Sequence, residues 1–118
     1  MVIFSGNPLR THVAMFTPTI LGQGDEEQKT KWLEKCLNFE IIGSYSQTEL
    51  GHGSNLKRLE TIAEYDSSTD TFVMNTPTKT SWKWWPGGLG HTSNHAMIMA
   101  QLYVNGKHYG LQSFVVQV

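Results

Sequence analysis

The chain has 118 residues, of which 39% are hydrophobic and 16% are charged, and its formal net charge is −1 at pH 7. This length gives one domain's worth of sequence at most, and no stretch reaches the length of a membrane-spanning helix. The near-neutral charge leaves no basic surface of the kind that binds nucleic acid, and the single cysteine, Cys36, excludes an intramolecular disulfide and favours a reducing compartment.

The N-terminal third of the chain predicts two helices. Residues 9–21 carry apolar side chains at helical spacing, although Thr17-Pro18 interrupts the pattern and the following Gly-Gln-Gly ends it. The second helix is predicted to begin after Asp25, with Asp25 as its N-cap and Gln28 in the capping-box position. The apolar face predicted for this helix consists of Trp32, Leu33, Cys36 and Leu37.

From Glu40 onward the apolar pattern changes from helical to extended. Strands are predicted at residues 41–47, 59–65, 71–75, 96–104 and 109–118, and residues 76–85 are also predicted to be extended. Asn105-Gly106, between the last two strands, is a hairpin signal. The order predicts an α+β fold, in which two N-terminal helices precede an antiparallel β-barrel or sandwich-like domain of about six strands.

A glycine-rich loop is predicted after the first strand, where residues 48–55 read Thr-Glu-Leu-Gly-His-Gly-Ser-Asn. Gly51 and Gly53 allow positive φ and let backbone N–H groups approach a flat or anionic ligand. Thr48 and Ser54 add hydroxyl groups that can bond the polar edge of such a ligand. The same residues are also typical of a strand that ends in a capped, tight turn.

A second unusual stretch, residues 82–90, reads Trp-Lys-Trp-Trp-Pro-Gly-Gly-Leu-Gly and holds three of the chain's four tryptophans. Aromatic rings beside an open glycine backbone suit a planar ligand, because the rings form walls and glycine lets N–H groups reach the ligand edge. A tryptophan cluster packed in a core beside a turn explains the same composition.

Together, the two stretches resemble the flavin-binding motifs of peroxisomal acyl-CoA oxidases. Residues 48–55 and 83–90 have the order and spacing of those motifs, and the resemblance extends from about His12 to the last residue. The related acyl-CoA dehydrogenases carry a looser form, Thr-Glu-Pro-Gly-x-Gly-Ser followed by Trp-Ile-Thr. Leu50 in place of proline, and Trp-Pro-Gly in place of Trp-Ile-Thr, favour the oxidases.

The resemblance implies FAD as the cofactor and suggests roles for individual residues. Thr48 corresponds to a threonine that contacts the flavin ring, Gly87 to a glycine beside the isoalloxazine edge, and Trp85 to a tryptophan along the flavin face. Ser54 corresponds to a serine near the thioester end of the acyl-CoA. Contacts to the flavin edge tune how readily the ring accepts a hydride. His91 departs from the family, in which lysine is usual at this position.

The resemblance also implies domains, an activity and partners. Residues 1–39 correspond to the end of an N-terminal helical domain, and residues 40–118 to a middle β-domain with the flavin-binding loops. The implied reaction is α,β-dehydrogenation of a fatty acyl-CoA to the trans-2-enoyl-CoA in peroxisomal fatty acid β-oxidation, with oxygen converted to hydrogen peroxide. A homodimer is implied for the full-length parent. No targeting signal is expected at either end of the chain, so the peroxisomal location is implied by the resemblance alone.

No catalytic residue is predicted in this chain. The family's catalytic base is a glutamate of a C-terminal helical domain, which we expect to be absent here, and neither Glu49 nor Glu60 matches it. His91 and His95 have the i,i+4 spacing of a helical metal site. They follow a glycine-rich loop and lack a third ligand, so no metal site is predicted. Cys36 is predicted to be a core thiol.

Two alternatives to an acyl-CoA oxidase fragment remain open at this stage. An acyl-CoA dehydrogenase would pass its electrons to a carrier protein instead of oxygen. A truncated, non-catalytic product would only bind or assemble, and the expected absence of the base is consistent with it.

Overall fold

A computed structural model describes residues 7–118. Residues 1–6, where the sequence predicts no signal peptide and where the implied helical domain begins, lie outside the described residues. The chain divides into two units: the first contains the chain up to Tyr45 with Pro86–Met97 and Val115–Val118, and the second contains Ser46–Trp85 and Ile98–Phe114. Among residues 7–118, no helix is both long and apolar enough to cross a membrane.

The first helical segment continues through Thr17-Pro18, where the sequence predicts an interruption. A π-helical turn, His12–Phe16, leads directly into α1, Thr17–Gln23, and the Thr17 N–H donates to the carbonyl oxygen of His12. The wider π turn accommodates the missing N–H of Pro18, which lies in the first turn of α1. The helix ends at the glycines, as predicted, with Gly24 as its C-cap.

Helix α2, Glu26–Leu37, has the capping box that the sequence predicts. The Gln28 N–H donates to the Asp25 carboxylate at 2.8 Å, and the Asp25 N–H donates to the Gln28 side chain at 3.1 Å. Cys36 is buried, which confirms it as a core thiol. Burial raises the pKa of this thiol, a shift that a hydrogen bond with Thr17 partly offsets. Leu37 is 70% exposed, so the predicted apolar face extends one residue too far.

The core of the first unit forms where the helices meet the chain entering the first strand. Its buried members are Phe16, Ile20, Cys36, Ile41 and Met97. The Phe16 ring lies directly against the backbone of Gly43, where any Cβ would overlap the ring. Buried His12 adds polar links: its Nε2 is 3.0 Å from the Cys36 carbonyl oxygen, and its Nδ1 accepts the Gly43 N–H at 3.1 Å. These contacts require the neutral Nε2–H tautomer, so His12 is a packing residue.

Within residues 7–118, five strands form one mixed sheet. They are β1 Gly43–Ser46, β2 Ile62–Asp66, β3 Thr71–Asn75, β4 His95–Val104 and β5 Lys107–Gln117. The strand order is β1-β4-β2-β3, and β5 pairs with β4. β2 and β3 are antiparallel, with Ala63 opposite Met74, whereas β2 and β4 are parallel, with Ala63 opposite Leu102.

The α+β class is therefore confirmed, but the details predicted for the sheet are wrong. The sheet has five strands instead of six, contains a parallel pair, and is not closed into a barrel. Residues 76–85 are not a strand, since a 3₁₀ turn, Lys79–Ser81, interrupts them. β3 has its predicted bounds, and Asn105 and Gly106 both have positive φ, at 50° and 73°, as a type I′ hairpin turn requires.

Candidate functional site

The first motif and the start of the second, up to Trp85, lie side by side in the second unit. The Trp84 N–H donates to the Thr48 carbonyl oxygen at 2.9 Å, and the Leu50 N–H donates to the Trp82 carbonyl oxygen at 2.9 Å. Glu49 and Lys83 face each other between these two bonds as an antiparallel bridge. The backbones of two such facing residues do not hydrogen-bond to each other, and this arrangement brings the two side chains close together. We call residues 48–50 and 82–84 the paired segments.

Gly51 permits the close approach of the chain next to the paired segments. Its N–H donates to the Thr80 carbonyl oxygen at 2.8 Å, and a Cβ at Gly51 would lie 2.8 Å from the Thr80 Cβ. Neither Gly51 nor Gly53 has positive φ, so the expected left-handed loop is not formed at these glycines. The tight turn instead closes through two bonds between the backbones of Glu49 and His52, at 3.0 and 3.2 Å.

One side of the paired segments carries an ion pair between fully buried Glu49 and largely buried Lys83. The Glu49 carboxylate accepts the N–H groups of Glu60 and Thr61, each at 2.8 Å, and the Thr61 hydroxyl at 2.6 Å. The Lys83 ammonium lies 3.2 Å from the same carboxylate. Burial raises the pKa of Glu49, but these hydrogen bonds and the charge of Lys83 outweigh it and hold the pKa below its usual value. Glu49 is therefore a fixed anion with its oxygens already occupied.

Lys83 binds three separate points of the second unit. Its ammonium donates to the carbonyl oxygen of Met99 at 2.7 Å, to that of Gln47 at 3.2 Å, and to the Glu49 carboxylate at 3.2 Å. An ammonium has three N–H donors, so this set satisfies it completely. Burial lowers the pKa of Lys83, and the Glu49 charge opposes that shift only in part. No pattern in the sequence indicates this pair, although both residues belong to the motifs.

The opposite side of the paired segments is open and aromatic. Side chains alternate between the two sides of an extended segment, so Thr48, Leu50, Trp82 and Trp84 point away from the ion pair. Their exposure agrees: Leu50 is 44%, Trp82 55% and Trp84 50% exposed. Thr48 is partly buried opposite Trp84, and within residues 7–118 its hydroxyl has no hydrogen-bond partner.

Trp85 follows the paired segments and is the most exposed of the three tryptophans in this motif. It is 75% exposed, and its ring centroid lies 6.4 Å from that of Trp84 at an angle of 56°. Its φ is +38°, a left-handed conformation that an aromatic residue rarely adopts. The second unit thus places Thr48 and Trp85 close together along the paired segments. Trp84, which the sequence does not single out, is a further candidate site residue.

Gly87 lies in the first unit and adopts a glycine-specific conformation. Its φ is +73°, and a Cβ at this position would lie 2.8 Å from the Thr11 hydroxyl oxygen. One residue earlier, the Pro86 carbonyl oxygen accepts the Tyr45 N–H at 2.9 Å. One residue later, the Gly88 carbonyl oxygen accepts the N–H groups of three residues, His91, Thr92 and Ser93. The left-handed backbone and the close approach of Thr11 therefore account for glycine at position 87 without any ligand.

An open groove of about 480 Å³ lies in the first unit. Its lining residues are Ala14, Met15, Pro18, Thr19, Gly22, Gln23 and Tyr45. Apolar atoms form most of this lining. Since Tyr45 is bonded to Pro86, the groove wall is connected to the start of the glycine loop that contains Gly87.

Ser54 is exposed in the bend after the first motif. Its carbonyl oxygen accepts the Leu56 N–H at 3.0 Å, and a 3₁₀ turn, Leu56–Arg58, follows. β2 begins at Ile62 rather than at residue 59, because the N–H groups of Glu60 and Thr61 donate to the Glu49 carboxylate instead of to a neighbouring strand. Among residues 7–118, the Ser54 hydroxyl has no hydrogen-bond partner, so the structure does not join it to Thr48.

Glu60 lies in a polar cluster with His52, Thr78 and Thr80. The Glu60 carboxylate accepts the hydroxyl of Thr80 at 2.6 Å and that of Thr78 at 3.2 Å, and lies 3.2 Å from His52 Nε2. The bond from Thr80 is the main reason that the pKa of Glu60 lies below its usual value. Potential metal-ligand atoms of Glu49, His52 and Glu60 lie within 4.8 Å of one another. Protein donors already occupy the two carboxylates, and the Lys83 ammonium repels a cation beside Glu49.

His91 and His95 have different environments. His95 is buried, its Nδ1 lies 3.0 Å from the Asn94 side-chain oxygen, and its ring meets Trp32 edge-on at 5.8 Å. Burial lowers the pKa of His95, and the positive charge of Lys35 adds to the effect. His91 is exposed in the loop that precedes β4, so the two histidines do not share a helix.

Comparisons with known proteins agree on one family. Residues 1–42 match the family described as acyl-coenzyme A oxidase N-terminal. The chain is 56% identical over 117 residues to acyl-coenzyme A oxidase 1 of Drosophila melanogaster, an alignment that covers 99% of this chain and 18% of the fly protein. It is 57% identical to peroxisomal acyl-coenzyme A oxidase 1 of Arabidopsis thaliana, over 91% of this chain and 16% of the plant protein.

A solved structure supports the same relationship. Acyl-CoA oxidase-2 of Caenorhabditis elegans, bound with FAD, ascaroside-CoA and ATP, superimposes with a TM-score of 0.92 at 50% sequence identity, over 98% of this chain and 17% of that one. The chain thus spans less than one fifth of the length of each of these relatives. At this identity over nearly all of its residues, the chain belongs to the acyl-CoA oxidase family.

Proposed function

We propose that this chain is the flavin-binding segment of an FAD-dependent acyl-CoA oxidase. The observation that carries the proposal is the pairing of residues 48–50 with residues 82–84. This pairing puts the Thr48 hydroxyl, which has no partner among residues 7–118, beside exposed tryptophan rings. A planar cofactor with a polar edge needs both features, a ring to lie against and a donor at its edge. In the proposal Thr48 contacts the flavin ring, and Trp85, with Trp84 beside it, lines the flavin face.

The residues of the first unit also fit the proposal. Gly87 presents bare backbone, because it lacks a side chain and its φ of +73° turns the chain sharply after Pro86. A glycine at such a turn lets a ligand edge approach the main chain closely. We assign Gly87 to the isoalloxazine edge of the flavin, as the resemblance implies. FAD, when bound, supplies the acceptor for the hydride, and the protein supplies its orientation and electrostatic environment.

The substrate of the proposed enzyme is a fatty acyl-CoA. The largely apolar groove beside Tyr45 suits a hydrocarbon chain, since burying methylene groups there is favourable. Ser54 is assigned to the thioester end of the substrate. The proposed products are the trans-2-enoyl-CoA and, from oxygen, hydrogen peroxide.

Two carboxylates lie at the site, those of Glu49 and Glu60. Neither suits the role of the base that removes the α-proton. Glu49 is held as an anion by four donors, including Lys83, and so is not available to take up a proton. Glu60 is engaged with Thr78, Thr80 and His52. We therefore propose that another part of the full-length oxidase supplies the catalytic base.

The proposal extends to the context of the parent protein. Residues 1–39 would end its N-terminal helical domain and residues 40–118 would form its middle β-domain. Relatives from Arabidopsis thaliana and other organisms are named peroxisomal acyl-coenzyme A oxidases, which supports peroxisomal fatty acid β-oxidation as its setting. A homodimer is the proposed assembly of the parent.

The test uses the full-length protein that contains this segment, loaded with FAD and supplied with palmitoyl-CoA. We expect one hydrogen peroxide for each enoyl-CoA formed, in air and without any added electron carrier. Turnover that requires a carrier and yields no peroxide would identify a dehydrogenase instead. Absence of both FAD binding and enoyl-CoA formation would leave a non-catalytic binding protein as the better reading.

A further inference from the structure

The buried ion pair and the open aromatic face belong to the same two short segments. Glu49 lies between Thr48 and Leu50, and Lys83 lies between Trp82 and Trp84, so each charged residue is flanked by residues of the open face. Two backbone bonds, from Trp84 to Thr48 and from Leu50 to Trp82, lie on either side of the Glu49–Lys83 bridge. Any shift of the pair therefore shifts the residues that face the proposed cofactor.

The pair specifies the register of the paired segments. A slip by one residue would turn Lys83 to the open side and a neighbouring tryptophan to the buried side, because side chains alternate along extended backbone. Such a slip would leave the Glu49 anion buried without its cation, and an unpaired buried charge is strongly destabilising. It would also break the bonds from Lys83 to the Gln47 and Met99 carbonyl oxygens. Only one register satisfies all of these groups.

The energetics favour a role in positioning over one in bulk stability. A buried ion pair usually contributes little net stability compared with apolar residues of similar volume, because desolvating two charges offsets their attraction. The pair instead fixes the register of the two segments and the orientation of their side chains. Three acceptors from two stretches of the chain, residues 47–49 and Met99, converge on one ammonium, and four donors converge on one carboxylate.

We propose that Lys83 and Glu49 are positioning residues of the flavin site. They do not touch the cofactor but hold Thr48 and Trp84 at the spacing that its ring requires. The inference rests on the proposed function, since it needs the open face to be the flavin side. It adds a role for two residues that the motifs contain but to which the resemblance assigns none.

The experiment compares Lys83→Met with wild type in the full-length, FAD-loaded oxidase, well below the melting temperature of either protein. Methionine preserves much of the side-chain length and removes the ammonium. Small displacements in a site can cost about 100-fold in rate. We expect FAD to dissociate about tenfold to 100-fold more readily, and flavin reduction by acyl-CoA to slow. The visible absorption band of the remaining bound flavin should also shift, because its protein contacts have moved.

Two matched controls separate positioning from other effects. Lys79→Met removes the same charge from an exposed lysine of the neighbouring turn and should leave FAD affinity and the spectrum unchanged. Ala63→Gly weakens the buried centre of β2 without touching the pair, and should lower the melting temperature while folded protein binds FAD normally.

The result that would overturn the inference is a Lys83→Met protein that melts earlier but, when folded, has wild-type FAD affinity, spectrum and reduction rate. Lys83 would then be a stability residue only, as Ala63 is. Failure of the wild-type protein itself to bind FAD or to release peroxide would overturn the proposed function instead. The two failures are therefore distinguishable. The double variant Lys83→Met/Glu49→Gln also removes the charge that Lys83→Met leaves unpaired. It should be more stable than Lys83→Met but should not regain FAD affinity.

Discussion

At Thr48 the backbone and the side chain have separate tasks. The carbonyl oxygen accepts the Trp84 N–H and so belongs to the paired segments, whereas the hydroxyl has no partner among residues 7–118. This division makes Thr48 a residue in which the ligand contact can be removed without disturbing the fold.

Thr48→Ala in the full-length oxidase is the direct test of this contact. Loss of one hydrogen bond to a polarised flavin edge is expected to cost about 1–3 kcal/mol of FAD binding or transition-state stabilisation. The melting temperature of the apo protein should stay close to that of wild type. Thr48→Ser is the matched control, because it keeps the hydroxyl and should retain FAD. Equal FAD affinity and reduction rate in the alanine and wild-type proteins would remove Thr48 from the site.

Gly87 presents the opposite case, a proposed ligand contact whose glycine the fold already requires. A φ of +73° is unfavourable for any residue with a side chain, and the Thr11 hydroxyl leaves no ordinary contact distance for a Cβ. We expect Gly87→Ala to destabilise the apo protein by about 1–3 kcal/mol, measured by denaturant unfolding. Gly90→Ala is the control, since Gly90 has a similar φ of +84° but open space around its Cβ position.

The comparison of these two glycines separates strain from contact. Gly90→Ala should show the cost of backbone strain alone, and Gly87→Ala should show that cost plus the contact with Thr11. Replacing Thr11 with alanine in the Gly87→Ala protein should recover the difference. Unfolding free energies equal to wild type for both alanine variants would mean that the left-handed turn is not formed in solution.

At the scale of elements, helix α2 shows how local chemistry sets a boundary. Asp25 and Gln28 exchange side-chain and backbone hydrogen bonds, while Glu26 and Glu27 put negative charge at the positive end of the helix dipole. Lys35 lies in the last turn, where a positive charge is favourable. The helix holds Cys36 in the core and supplies the carbonyl oxygen that His12 binds.

Asp25→Ala removes one half of the capping box. We expect it to lower the free energy of unfolding by about 0.5–2 kcal/mol, because the N–H of Gln28 loses its acceptor. Circular dichroism followed through a urea titration measures the change. Asp25→Asn keeps a side-chain oxygen at the N-cap and should remain near wild type. A similar loss in the asparagine protein would point to the charge of Asp25, not its hydrogen bond, as the stabilising feature.

At the scale of the whole molecule, the chain is a small part of what its relatives contain. It spans 18% of the Drosophila melanogaster protein and 17% of the FAD-bound Caenorhabditis elegans protein. The exposed tryptophans of residues 82–85 are consistent with a face that a ligand or further protein covers, since large apolar side chains in a cluster are seldom left in water. A segment with such a face is expected to bind its cofactor poorly when alone.

The 118-residue chain should therefore retain little or no FAD after desalting. In the proposed full-length oxidase, the flavin ring is enclosed between this segment and other parts of the protein, and much of that contact area is lost in the isolated chain. Absorbance of the desalted protein, with the full-length oxidase in parallel, measures the retained FAD. A yellow 118-residue chain with one FAD per molecule would contradict this expectation.

The sequence by itself determined what depends on neighbouring residues or on long, specific motifs. The capping box of α2, strand β3 and the Asn105-Gly106 turn follow from local hydrogen bonds and backbone preferences, and all three were predicted correctly. The motifs at residues 48–55 and 83–90 likewise identified the acyl-CoA oxidase family. Local patterns failed where distant chain decides the outcome: Leu37 fits the apolar face of α2 but meets no core.

Only the tertiary structure decided the sheet and the inner side of the candidate site. Whether β2 pairs with a parallel or an antiparallel neighbour depends on which strand arrives beside it, and the alternation of apolar residues is the same in both cases. Glu49 and Lys83 are 34 residues apart, and the sequence places Glu49 in a predicted loop and Lys83 in a stretch predicted to be extended, with no sign that they pair. Their burial and pairing arise only when the two motifs come together, because a charge can leave water only where a partner and hydrogen bonds replace its solvation.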